Sequence, residues 1–112
     1  MLIFHMCRHD EWEAALRAGR YEGSSQDRAD GFIHFSSADT VVESAAKHRA
    51  GQAGLVLIAA DPDRLGAALN WEPARGGKLF PHLYGALETA HVTWVKDLPL
   101  GADGNHVFPP LD

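Results

Sequence analysis

Leu55-Val56-Leu57-Ile58-Ala59-Ala60 is the longest uninterrupted apolar stretch of the chain. Six residues are far too few to cross a bilayer. Bracketed by Gly51 and Gly54 on one side and Asp61-Pro62-Asp63 on the other, the run reads as a central strand covered on both faces. The other elements follow outward from it. Leu2 to Met6 reads as a first strand. Asp10 has the position of an N-cap, with Glu13 closing a capping box. Trp12, Ala15 and Leu16 then share one helical face, and Gly19 is the stop. Tyr21 to Asp30 is polar and lacks a period, so a loop is expected. Gly31 to Phe35 reads as a second strand. Ser36 or Ser37 is expected to cap a second helix, with Val41, Val42, Ala45 and Ala46 on its apolar side.

Beyond the central run, Asp61-Pro62-Asp63 opens a turn or a single helical turn. Leu69-Asn70-Trp71-Glu72 is a short strand that Pro73 ends. Ala74 to Lys78 is a loop with a Gly-Gly pair, Ala90 to Val95 is a strand, and the tail from Pro99 carries three of the six prolines. The order is strand, helix, strand, helix, then mostly strands. It predicts a compact α+β single domain over residues 1–112, with a mostly antiparallel sheet and two main helices.

A chain of 112 residues suits one core and not comfortably two. Its 46% hydrophobic and 22% charged content is that of an ordinary soluble domain, so disorder is expected only at the ends. The formal charge is −5 and no basic run occurs, which disfavours extended nucleic acid while leaving room for a small phosphorylated ligand. Met1-Leu2-Ile3-Phe4 lacks the basic flank and length of a signal peptide. Cys7 is the only cysteine, so neither an intrachain disulfide nor a cysteine zinc cluster is available. A cytoplasmic location without membrane association is the default expectation. The sequence does not set the oligomeric state.

Three histidines interrupt apolar, strand-like runs. They are His5 in Leu2-Ile3-Phe4-His5-Met6, His34 in Gly31-Phe32-Ile33-His34-Phe35-Ser36, and His82 in Leu79-Phe80-Pro81-His82-Leu83-Tyr84-Gly85. A buried imidazole costs free energy unless both ring nitrogens are satisfied. A shared polar pocket answers that need three times over. Strand alternation puts Phe32, His34 and Ser36 on one face, with His34 and Ser36 roughly 7 Å apart. His5 and His34 are candidate ribose-binding or acid–base groups. Glu72, next to Trp71, is a carboxylate whose pKa desolvation could raise, or one that could orient a histidine. Pro81 stiffens the backbone before His82, and Tyr84 offers a ring for stacking on a flat ligand.

Each residue also has a purely structural reading. The histidines can be satisfied core residues, Ser36 a helix cap, and Glu72 an exposed partner of Arg75 or Lys78. Three histidines and a glutamate could ligate zinc, but no metal-binding spacing on one helix is present, so no metal is expected. His9, His48, His91 and His106 read as surface residues. Cys7, beside Arg8 and His9, could have a lowered pKa, and packing is the alternative. Gly-rich dinucleotide loops, a Walker loop and a Gly-x-Ser-x-Gly elbow are absent.

These residues resemble a known family. Leu2-Ile3-Phe4-His5, Trp12 with Ala15 and Gly19-Arg20-Tyr21, Gly31-Phe32-Ile33-His34 with Ser36, Leu55-Val56-Leu57, Trp71-Glu72 and Phe80-Pro81-His82-Leu83-Tyr84-Gly85 identify the chain as a member of the bacterial family named domain of unknown function 952. The strand ending in Phe4-His5, the helix closing at Gly19 and the strand–helix unit from Gly31 also resemble the core of ADP-ribosyltransferases. The RNA 2′-phosphotransferase type, which uses histidines at its first two motif positions, is the nearer variant. That resemblance implies an ADP-ribosyltransferase-like fold and NAD or an ADP-ribose-like nucleotide as substrate, with no further cofactor. It implies His5 at the adenosine-side ribose and His34 at the neighbouring ribose or nicotinamide wall. Glu72 or the ligand's own phosphates would then stabilise oxocarbenium charge, with Ser36, Trp71, His82 and Tyr84 binding the ligand. The third family motif, a glutamate on a late strand, falls nearest Leu87 and Glu88 here. Phosphate-binding basic residues of the RNA enzymes have no clear counterpart. Two other classes stand beside this one: a non-catalytic module binding a nucleotide or small metabolite, and a metal-dependent hydrolase using the three histidines.

Overall fold

The computed structural model describes residues 1–112, with the side chain of Arg75 excepted. Strand β1 (Ile3–Arg8) leads directly into helix α1 (His9–Ala18). The helix starts two residues earlier than the sequence suggests. Arg8 occupies the N-cap, and its N–H donates to the Glu11 carboxylate at 2.9 Å, so Asp10 and Glu13 are not the capping pair. Gly19 ends α1 with φ of 82° and donates its N–H to the Ala15 carbonyl.

The segment expected to be a loop holds β2 (Arg20–Tyr21) and helix α2 (Ser25–Asp30). Its polar sequence hides a capping box. Asp27 N–H donates to Ser24 Oγ at 3.3 Å, and Ser24 N–H returns to Asp27 Oδ2 at 2.7 Å. The expected strand from Gly31 to Phe35 breaks in two, as β3 (Ile33–His34) and β4 (Ser36–Ser37), which belong to different sheets. Phe35 is the switch between them, its N–H donating to the Pro81 carbonyl.

Helix α3 (Val41–His48) begins after Thr40 and not at Ser36 or Ser37. Those serines are strand residues, and Ser37 N–H donates to Thr40 Oγ1 in the turn between. Val41, Ser44 and Ala45 form the buried side, whereas Val42 and Ala46 face solvent. The central apolar run is β5 (Leu55–Ala60), followed by α4 (Pro62–Leu65), a single turn capped by Asp61. Then come β6 (Leu69–Pro73), β7 (Leu79–Leu83), β8 (Leu87–Glu88) and β9 (Val92–Leu98).

Every strand pairing is antiparallel. One sheet runs β4-β1-β5-β9, a second β3-β7-β6, and β2 pairs with β8. The chain is thus an α+β domain. The two faces of β5 explain its composition. Val56, Ile58 and Ala60 pack with Ile3, Cys7, Trp12, Tyr21 and Phe35, while Leu55, Leu57 and Ala59 pack with Phe4, Met6, Val41, Ala45 and Leu98. Leu57 and Ile58 both have 0% exposure, and each such side chain contributes about 1.5–3 kcal/mol. A polar residue at any β5 position would lose that term and gain a desolvation cost.

The edge of this sheet creates the site. Strand β4 pairs only with Ile3 and Phe4 of β1, whereas β5 pairs with the whole strand from Ile3 to Arg8. From His5 onward, β1 therefore has a strand neighbour on one side only, and a cleft opens along the other.

Candidate functional site

The cleft has a volume of about 600 Å³. Phe4, His5 and Met6 of β1 line it. One wall comes from Gln26 and Asp30 of α2, His34 of β3, and Phe80 and His82 of β7. A second wall comes from Ser36 of β4, Ser44 and His48 of α3, and Arg49. The three strand histidines and Ser36 therefore share one cavity. His48, expected at the surface, reaches its lining as well.

His34 and His82 are direct partners in the β3–β7 register, with ring centroids 5.7 Å apart. Phe32 packs against both, at 4.6 and 4.0 Å between centroids. Each imidazole is backed by a different carboxylate. His34 Nδ1 meets Asp27 Oδ1 at 2.5 Å, and its Nε2 lies 3.0 Å from Asp30 Oδ2. The Asp27 bond pushes the His34 pKa up, partial burial acts against it, and Asp30 adds to the rise.

Asp27 is 3% exposed. Burial alone would raise its pKa, but the His34 ring bond, the nearby His5 and the N–H groups of Ser24 and His34 hold it well below the usual carboxylate range. Its Oδ2 also accepts the Ser24 hydroxyl at 2.9 Å and lies 3.6 Å from His5 Nε2.

His82 Nδ1 lies 2.8 Å from Glu72 Oε1, and the Tyr84 hydroxyl donates to the same oxygen at 2.7 Å. Those two bonds hold the Glu72 pKa below its ordinary value, so desolvation does not raise it. Nδ1 must carry the proton it gives to Glu72. Among the described residues, Nε2 of His82 has no hydrogen-bond partner. In the neutral ring that nitrogen is the acceptor left for a ligand.

His5 is held differently. Its Nδ1 donates to the His34 carbonyl at 2.6 Å, which requires Nε2 to accept the Tyr21 hydroxyl at 2.8 Å. Burial pushes its pKa down, with Asp27 and the carbonyl bond opposing. Both ring nitrogens are thus committed to the protein, so His5 fixes the position of His34 and leaves no nitrogen for a ribose. Tyr21 stays protonated because burial drives its pKa up.

Several sequence-derived expectations change at this point. Glu72 does not line the cleft; it stands behind His82 with Tyr84. Arg75, an alternative partner for Glu72, has a side chain outside the described residues. Trp71 alternates to the other side of β6 from Glu72 and is 38% exposed, away from the lining. Ser36 caps no helix; its hydroxyl donates to Ser44 Oγ at 3.0 Å. Leu87 is buried opposite Tyr21, while Glu88 is exposed opposite Arg20, so the late-strand glutamate does not enter the cleft. Cys7 is buried in the core, and burial pushes its thiol up to about 12, opposite to an activated cysteine. Among the described residues, no group of three His, Cys, Asp or Glu side chains is arranged to hold a metal ion.

Asp27, Asp30, Tyr21 and Arg49 were not legible as site residues. The Ser24-x-x-Asp27 spacing with Gly31 beyond it is the signal that reveals α2 and hence Asp27. Arg49 reaches the Met6 carbonyl across 43 positions, a contact no local pattern announces.

None of the curated proteins matches the chain. Solved structures do. The crystal structure of protein CC0527 from Caulobacter crescentus is 48% identical, with a TM-score of 0.92, covering 96% of this chain and 94% of that one. The solution NMR structure of CC0527 is 50% identical, with a TM-score of 0.84, covering 93% and 90%. The family model described as protein of unknown function (DUF952) matches residues 6–95, and the chain belongs to that family.

Proposed function

We propose that the cleft binds a ribonucleotide of the NAD or ADP-ribose type and that His82 and His34 act on it as an acid–base pair. The observation that carries this reading is the His34–His82 pair. Two imidazoles in register, 5.7 Å apart, are backed by separate carboxylates. Two imidazoles facing one cavity, each oriented by its own carboxylate, can divide proton donation and acceptance between them. The cavity volume of about 600 Å³ is in the range of small-molecule sites. Imidazoles suit ribose oxygens. The sequence resemblance of Phe4-His5, Gly19 and the Gly31 unit to ADP-ribosyltransferases is what suggests the nucleotide class, by analogy alone.

The reaction this pair suits is a glycosyl transfer. Water or an acceptor hydroxyl gives its proton to His82 Nε2 as its oxygen attacks the anomeric carbon of the ribose. The carbon–nitrogen bond to nicotinamide breaks, and its electron pair leaves with the ring nitrogen. Glu72 steadies the imidazolium that forms, and protonated His34 donates to a ribose oxygen. Glu72 is thus a positioning residue, not a direct partner of the oxocarbenium carbon. No metal takes part in this reading, and a cytoplasmic location accompanies it.

Calorimetric titration with a nucleotide panel tests it. NAD or ADP-ribose is expected to bind at micromolar to millimolar levels, about −8 to −4 kcal/mol. A single-stranded RNA oligomer without such an end group is expected to bind far more weakly. No binding by any adenine or nicotinamide nucleotide at millimolar concentration would remove the nucleotide reading. Binding without turnover would make the protein a recognition module.

A further inference from the structure

The second wall of the cleft has a chemistry that the acid–base pair does not use. Ser36 and Ser44 are 6% and 5% exposed, and their hydroxyls meet at 3.0 Å. Arg49 follows as the C-cap of α3. Its Nη2 donates to the Met6 carbonyl at 3.0 Å, and its Nη1 to Gln52 Oε1 at 3.2 Å. The first bond satisfies a carbonyl on the open edge of β1 and pins the guanidinium beside the cleft. A guanidinium has five N–H donors in a fixed fork, so donors remain for a second acceptor.

Among the described lining residues, Arg49 is the one permanent cation. The one carboxylate in that lining, Asp30, belongs to the other wall and pairs with His34. A protein of charge −5 does not attract anions at long range, so an anionic group would need such a local cation to bind.

We propose that Arg49, on the wall it shares with Ser36 and Ser44, forms an anion subsite for the diphosphate of the bound nucleotide. The proposal rests on the ribonucleotide reading and adds polarity to it. The phosphates lie along α3 and β4, which leaves a ribose between His34 and His82. A fork-shaped donor matches the oxygens of a phosphate better than a lone ammonium would.

The test is calorimetry with ADP-ribose, adenosine and inorganic pyrophosphate on the wild type, Arg49→Lys and Arg49→Gln. Thermal melting checks the fold, since Arg49 also holds the Met6 carbonyl; Ser44→Ala serves as a second variant that keeps that bond. Arg49→Gln is expected to weaken ADP-ribose by about tenfold to a hundredfold, the range of a charge-assisted hydrogen bond. Arg49→Lys is expected to fall between. Adenosine affinity should stay within about twofold, and added salt should weaken ADP-ribose more in the wild type than in Arg49→Gln. Wild-type pyrophosphate binding should be weaker than that of ADP-ribose and vanish in Arg49→Gln. Unchanged ADP-ribose affinity in both Arg49→Gln and Ser44→Ala would overturn the subsite while leaving the ribonucleotide reading in place. Pyrophosphate binding that needs Arg49, with no nucleotide binding, would keep the anion site and overturn the nucleotide. Pyrophosphate binding as tight as ADP-ribose would assign the site to the free anion.

Discussion

Asp27→Asn is expected to destabilise the protein by about 3 kcal/mol and to release the His34 ring. Breaking a buried, hydrogen-bonded charge pair costs about this much. Asp27 is 3% exposed and its two oxygens accept from the His34 ring, the His34 N–H, the Ser24 N–H and the Ser24 hydroxyl. It joins the start of α2 to β3 and faces His5. An amide can replace some of these bonds, but its NH₂ group presents donors where donors already converge.

The pH dependence follows from the directions of the shifts. Asp27 titrates below its ordinary value of 3.8, so its stabilisation is present above that pH and is lost as pH falls below it. His34 titrates above 6.5, so its contribution is full below 6.5 and is lost as pH rises through its raised value. His5 titrates below 6.5, so it weakens the fold as pH falls from 6.5 towards its depressed value. In Asp27→Asn the acid-limb loss should shrink and the His34 midpoint should move down. Urea unfolding at neutral and acid pH, with NMR titration of the His34 ring, measures both. A stability change under about 0.5 kcal/mol with an unmoved His34 midpoint would contradict the role given to Asp27.

His82→Ala is expected to lower nucleotide turnover by about a hundredfold or more, the usual contribution of a positioned acid or base. Binding of ADP-ribose should change far less, because the proton transfer belongs to the transition state. Glu72→Gln should also reduce turnover more than binding. It keeps an acceptor for Nδ1 but removes the charge that steadies the imidazolium. Tyr84→Phe should have a smaller effect, since Tyr84 touches only the Glu72 carboxylate among these groups. Nicotinamide release from NAD, read as kcat and KM separately, provides the measurement. An unchanged kcat in His82→Ala would exclude the proton-transfer role.

The fold and the site were legible to different depths. The β5 run gave away its two covered faces because an all-apolar hexamer has no other economical place. Histidines inside apolar runs pointed to a shared cavity because an imidazole in such a run needs partners. The sequence did not reveal what those partners were. Asp27 sits in a polar segment whose helix is set by one capping box and six residues, too short for a hydrophobic period. Ser36 looked like a cap because cap and edge-strand serines share the same local sequence, and only the pairing with Phe4 separates them. Glu72 and His82 are ten positions apart and meet through the β6–β7 pairing, in which Asn70 and not Glu72 stands directly opposite His82. The three histidines that the resemblance singles out line one cleft, in unlike surroundings. His5 turns inward to Tyr21 and the His34 carbonyl, and the late-strand glutamate lies outside the cleft.

The most direct test of the two-imidazole cleft is ring-nitrogen NMR of the histidines during titration with ADP-ribose. The His82 Nε2 and His34 resonances should shift together and saturate at one ligand concentration, with His82 bearing its proton on Nδ1 in the neutral ring. His9 and His91, outside the cleft lining, should stay still and act as internal controls. Saturating nucleotide that leaves both His34 and His82 unmoved, or that moves only His9 or His91, would contradict the assignment of this cleft as the nucleotide site.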